Sequence, residues 1–185
     1  MMSRAVRAIA GLALLWSVFA RPAAGADLAA VRDLYIAANF EEALAALSTV
    51  EGTAPIEDVQ QIRALCLLAL GRTADAEAAV RELVLRSPGH RVDPASVSPK
   101  FVELFNEVRG KTLPSAVRAM YAQAKARYDA RDWPAAGQAF SRLLTLLGEP
   151  GITAADPTLS DLTQLGEGFK RLVDVELASL EAARK

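Results

Sequence analysis

Few side chains in this sequence are of the types that catalyse reactions or bind metals. His90 is the only histidine and Cys66 is the only cysteine. Protein zinc sites are generally built from several His and Cys ligands, so one residue of each type is too few. The sequence also contains no Gly-rich phosphate loop, no Gly-x-Ser-x-Gly elbow and no His-Glu-x-x-His pair. We therefore predict no catalytic residues, no bound metal and no cofactor.

The remaining titratable groups have simpler interpretations than catalysis. General acid–base chemistry needs a carboxyl with a shifted pKa in a sheltered site. The acid pair Glu41-Glu42 falls instead at a predicted helix start, where negative charge complements the helix dipole. His90 lies in a turn-rich segment, and Cys66 lies in an apolar helical stretch that predicts a buried thiol, with an intermolecular disulfide as the alternative. An enzyme would require a pocket that holds two acids, or an acid beside His90.

The N-terminal segment 1–26 has the pattern of a secretory signal peptide. Arg4 and Arg7 precede an apolar run from position 8 to position 20, which ends before the small residues Ala24-Gly25-Ala26. The run is shorter than the roughly 20 residues that a membrane-spanning helix needs. We predict cleavage after Ala26 and a soluble periplasmic protein. An uncleaved amphipathic anchor is the alternative.

The charge of the predicted mature chain limits its partners. Three of the 21 basic residues and none of the 22 acidic residues lie in the leader, which leaves a net charge of −4. Nucleic-acid binding proteins generally carry a basic surface. We therefore expect neither nucleic-acid binding nor strong binding to an anionic membrane.

One pattern of residues recurs along the chain and predicts pairs of helices joined by a tight turn. The interval from Ala43 to Ala76 equals the interval from Pro55 to Pro88, and a third copy places Ala136 after Trp133. In each copy a small residue inside the second helix is followed one helical turn later by a larger apolar one. The first helix of each pair is predicted to end at a turn residue: Ala38, Gly71 and Arg131.

This pattern resembles the tetratricopeptide repeat, a helix–turn–helix unit of about 34 residues. The likeness covers residues 27–55, 56–88 and 116–148, although the tryptophan common early in that repeat is missing from all three copies. It implies an all-α fold of stacked helix pairs that binds other proteins. A generic helical bundle rich in Ala and Leu is the alternative.

Two further helices are predicted outside the repeats. Ser98-Pro99 marks a helix start, and an amphipathic pattern then continues to Gly110, which predicts an inserted helix at 98–110. After Pro157 a long apolar stripe predicts an end helix at 157–183 that covers the last repeat. Residues 27–185 are thus expected to form one domain.

The resemblance to the repeat family implies a partner-binding groove lined by the first helix of each pair. Transferring the groove positions of the family residue by residue selects eight side chains: Arg32, Tyr35, Gln61, Leu65, Leu68, Tyr121, Lys125 and Tyr128. The three tyrosines offer large apolar area with a polar tip, which suits an interface. Alternatively, the rings pack between helix pairs or beneath the end helix.

The function expected from these features is binding rather than catalysis. The first hypothesis is a periplasmic scaffold or adaptor that holds a peptide or helix of another cell-envelope protein. The alternative is a structural subunit that associates with itself, through the apolar C-terminal stripe or through the helix that carries Phe101 and Phe105.

Overall fold

A computed structural model shows a helical chain. It describes residues 27–149, 152, 156 and 158–184; the predicted signal peptide at 1–26 lies outside these residues. The described part contains no β-strand, which confirms the all-α prediction. Its helices are α1 (Leu28–Ile36), α2 (Phe40–Val50), α3 (Ile56–Ala69), α4 (Thr73–Arg86), α5 (Pro99–Asp129), α6 (Trp133–Leu147) and α7 (Thr158–Ala183). None of these helices is long and apolar enough to cross a membrane.

The same backbone turn joins α1 to α2, α3 to α4 and α5 to α6. One residue of each turn adopts a left-handed conformation: Ala38 (φ 61°), Gly71 (φ 75°) and Arg131 (φ 57°). Each turn also makes the two backbone hydrogen bonds of a Schellman motif. In the first turn, Ala38 N–H donates to Tyr35 C=O at 3.0 Å and Asn39 N–H donates to Leu34 C=O at 2.9 Å. The following helices begin at positions with the same spacing as the turns, at Phe40, Thr73 and Trp133.

Small residues at matching positions allow the two helices of each pair to approach closely. Ala43, Ala76 and Ala136 are fully buried, and so are the larger residues one turn later: Leu47, Val80 and Phe140. The first helix of each pair also has a fully buried residue at an equivalent position: Val31, Ala64 and Ala124. Residues one turn apart lie on the same face of a helix, so the small residue and the larger residue of each second helix form one contact surface.

The buried side chains form two clusters that meet at α3. The N-terminal cluster joins α1 and α2 to one face of α3 and includes Val31, Leu47 and Ile62. The larger cluster runs from α3 to α7 and includes Val80, Phe140 and other buried residues. Tyr35 and Leu44 pack against both clusters, which links them.

The inserted helix predicted at 98–110 is not separate, because α5 continues for 31 residues from Pro99 to Asp129 with Pro114 inside it. The prediction of a helix end at Gly110 is therefore wrong. Buried positions keep a helical spacing across Pro114, from Phe105 through Thr112 to Ala116. Packing of this uninterrupted face offsets the missing proline N–H, which normally costs a helix about 3 kcal/mol.

The end helix α7 lies close against α6 because glycines face the contact. A Cβ atom added at Gly137 would lie 3.3 Å from Val173 Cγ1, and one added at Gly166 would lie 3.2 Å from Leu144 Cδ2. Gly166 is buried, whereas a Cβ atom at Gly168 would meet no atom within 4 Å. The two glycines of α7 therefore differ: Gly166 is needed for close packing and Gly168 is not.

This difference predicts opposite effects of the same substitution. Gly168→Leu is expected to raise the free energy of unfolding by up to about 1 kcal/mol, because leucine favours a helix and space is open there. Gly166→Leu is expected to lower it by about 1–3 kcal/mol, because the side chain would overlap Leu144 and Leu143. Urea denaturation of both variants measures the contrast, and equal effects would contradict this account of the contact.

Candidate functional site

The eight predicted groove residues do not form one continuous surface. Leu65 and Leu68 are buried in the larger core cluster. They are buried because α3 packs against both α2 and α4, so that eight of its 14 residues are inaccessible. These two leucines therefore hold helices together and are not exposed to a partner.

Three of the predicted residues lie near the N-terminal helices. Arg32 forms a salt bridge with Asp58 at 3.2 Å. Tyr35 is half-buried beside Phe40, with ring centroids 5.8 Å apart, and burial raises the pKa of its hydroxyl. Gln61 Oε1 lies 2.7 Å from His90 Nε2. Each of the three side chains therefore already contacts a neighbouring helix or the connector before α5.

The other three, Tyr121, Lys125 and Tyr128, lie together on α5 against the end helix. Phe169 of α7 packs between the two tyrosines, with ring centroids 6.2 Å from Tyr121 and 5.0 Å from Tyr128. Lys125 Nζ lies 5.9 Å from the centroid of Phe169, within the range of a cation–π contact. The tyrosine rings of the predicted groove thus pack against the end helix, as in the alternative interpretation of these residues.

Lys125 is held in place by a neighbour on the same helix. Its ammonium donates to both carboxylate oxygens of Asp129, at 3.0 and 2.7 Å. That hydrogen bonding raises the pKa of Lys125, so the amine stays protonated over the whole physiological range. The charge beside Phe169 is therefore permanent.

An apolar strip on α7 continues this cluster. Leu165, Leu172 and Val175 are 49%, 51% and 67% exposed, and they line a shallow groove of about 480 Å³ together with Phe169 and Gly168. The buried residues of α7, which include Leu159, Gly166 and Val173, lie on another side of the helix. Helix α7 is therefore apolar over more than the face that packs against α6.

The sequence identifies the whole apolar C-terminal stripe as a candidate contact for self-association, but it does not separate the α7 strip from the rest of that stripe. The apolar pattern after Pro157 merges Leu165 and Leu172 into a single stripe with the residues that contact α6, and it leaves out Val175. The available signal is the helical spacing from Leu165 through Leu172 to Val175, which departs from the register of Leu159, Gly166 and Val173.

Cys66 and His90 lie in separate surroundings in the described part of the chain. Burial raises the pKa of the Cys66 thiol to about 11, so it stays protonated near neutral pH. Burial lowers the pKa of His90, an effect partly opposed by Glu57 and Asp58, and the ring rests edge-on to Phe105. Within the described ranges, no three His, Cys, Asp or Glu side chains are placed to hold a metal ion.

Comparisons with protein-family models, with curated proteins and with solved structures give no match to this chain.

Proposed function

We propose that this chain is a non-catalytic periplasmic scaffold of the tetratricopeptide-repeat type, which binds a helix or peptide of another cell-envelope protein. Support for the repeat type comes from the three Schellman turns and from the buried alanines that follow them at matched positions. Support for export comes from the basic and apolar pattern of residues 1–26.

The binding site in this proposal is the surface between α5 and α7, which we call the α5–α7 surface. The observation that carries the proposal is an exposed apolar strip beside a half-buried aromatic cluster. The α5–α7 surface consists of Tyr121, Lys125, Tyr128, Leu165, Phe169, Leu172 and Val175. Apolar side chains at helical spacing are suited to receive the apolar face of a partner helix, and rigid aromatic rings favour such contacts.

Capture of partners by the tagged protein from its native envelope tests this function. The variant Leu165→Ser/Leu172→Ser/Val175→Ser is expected to retain a specific partner at least about tenfold less well than the wild type, because each removed side chain contributes apolar contact. Its fold should be preserved, since the three side chains are about half exposed or more. Ile36→Ser on α1, at an equally apolar and 78% exposed position, is the control and should retain the partner.

The same set of captured proteins from the wild type and from the triple variant would contradict binding at this surface. The wild type, the triple serine variant and the Ile36→Ser control must give matching circular dichroism spectra and melting curves, which shows that all three are folded alike. Quantifying the retained partner in each eluate then separates loss of binding from loss of structure.

The second candidate function is self-association through α7. The strip favours it because Leu165, Gly168, Leu172 and Val175 follow one another at the alternating short spacings seen in paired helices. Light scattering on the purified protein distinguishes the two functions. A dimer that the triple serine variant dissociates would support self-association, whereas a monomer at high concentration would support the scaffold.

A further inference from the structure

A second groove lies between α4 and α6, on the side of α5 away from the α5–α7 surface. Helix α5 packs against both α4 and α6, and the groove between them has a volume of about 490 Å³. Ala116 and Met120 line it from α5, and Leu85 lines it from α4. Because successive residues of a helix turn by about 100°, Ala116 and Met120 are directed well away from Tyr121 and Tyr128, so the two surfaces are separate.

Three arginines line this groove together with apolar residues and Gln123, and none of its described lining residues is an acid. Arg86 makes a salt bridge through Nε with Glu82 at 2.8 Å, and Arg127 has only a long contact of 3.9 Å with Asp132. Arg142 has no carboxylate within 4.0 Å among residues 27–149 and the other described positions. The described lining therefore combines three cationic side chains, one of which is closely paired with an acid, with the apolar side chains of Leu85, Ala116 and Met120.

The preceding helix pair provides an internal comparison. The corresponding groove between α2 and α4 contains Glu82 and Leu67 at the positions equivalent to those of Arg142 and Arg127 in the later pair. Its own arginines are matched by acids, since Arg63 pairs with Glu51 and Arg72 pairs with Asp75. Acids thus balance the arginines in the lining of the first groove but not in that of the second, and the shared helix geometry does not account for this difference.

We infer that the groove between α4 and α6 binds an acidic segment of a partner protein that carries an apolar side chain. Guanidinium groups form bidentate hydrogen bonds with carboxylates, and Leu85, which is 45% exposed, offers an apolar contact beside them. A polypeptide fits better than a nucleic acid because only three arginines line this groove, while the whole chain has a net charge of −1. This site is distinct from the α5–α7 surface.

The test uses a short fluorescent peptide with glutamates flanking a leucine, and the same peptide with lysines in place of the glutamates. We expect the purified protein to bind the acidic peptide and not the basic one. The variant Arg86→Gln/Arg127→Gln/Arg142→Gln should weaken binding about tenfold, the size expected for three exposed charge contacts. Raising the ionic strength from about 0.05 to about 0.3 M should weaken wild-type binding as well.

The matched control is Arg63→Gln/Arg72→Gln in the groove between α2 and α4, which should bind the acidic peptide as the wild type does. Equal losses in the two variants, or no loss in the triple variant, would overturn the proposal. So would arginine-dependent binding to phosphatidylglycerol vesicles without binding to the peptide, since it would assign the groove to a membrane. The triple serine variant of the α5–α7 surface should bind the peptide as the wild type does, so the proposals for the two sites are tested independently.

Discussion

Replacing Phe140 with alanine is expected to lower the free energy of unfolding by about 3–5 kcal/mol, the range found for large aromatic residues removed from cores. The ring is fully buried and stacks on Phe169, with centroids 5.5 Å apart and planes 4° apart. Tyr121 contacts it edge-on at 6.2 Å. One substitution therefore removes a contact that joins α5, α6 and α7.

Val80→Ala is the matched control because Val80 occupies the same position in the preceding helix pair and is also fully buried. Its loss should be smaller, about 2 kcal/mol, since only two methyl groups are removed. Chemical denaturation of both variants gives the comparison. A loss for Phe140→Ala no greater than that for Val80→Ala would show that the aromatic cluster contributes little to stability.

Replacing Pro114 with alanine is expected to raise the free energy of unfolding by about 2 kcal/mol, because a proline inside a helix costs about 3 kcal/mol relative to alanine. Pro114 lies inside α5 and cannot donate a hydrogen bond to the carbonyl of Gly110 one turn earlier. Alanine restores that donor and favours the helix, although the freer unfolded chain offsets part of the gain. A rise in the melting temperature of about 4–8 °C should follow for a domain of this size.

Pro134→Ala is the control for this prediction. Pro134 lies in the first turn of α6, where its backbone nitrogen has no helical acceptor. Its replacement should leave the melting temperature unchanged or slightly lower. A similar rise in both variants would mean that the gain arises from alanine itself and not from the hydrogen bond restored within α5.

Local sequence signals are sufficient to predict the ends of most helices but not the continuity of α5. The end of a periodic apolar pattern predicts turn residues such as Gly71 and Arg131. Both residues have a left-handed backbone conformation in the structure. At Gly110 and Pro114 the local signals indicate a break, yet the helix continues. The deciding factor is long-range packing of Phe105, Thr112 and Ala116 in one register, which no local propensity contains.

The candidate site is harder to predict than the fold for a related physical reason. Leu65 and Leu68 have the residue type and spacing of a groove, but exposure depends on which helices pack against α3. Tyr121 and Tyr128 lie on the same part of α5, as their helical spacing implies, while their contact with Phe169 depends on where a helix much later in the chain docks. Sequence periodicity shows which face of a helix is apolar, but not which neighbour covers it.

The division of the core at α3 has a consequence for how the protein opens. Helices α1 and α2 bury their apolar side chains mainly in the small N-terminal cluster, whereas α3 also contributes to the larger one. The first two helices can therefore separate while α3 to α7 stay folded, as a cooperative unit of lower stability than the rest. Amide hydrogens of α1 and α2 would then exchange with solvent through partial opening, and those around Phe140 only through global unfolding.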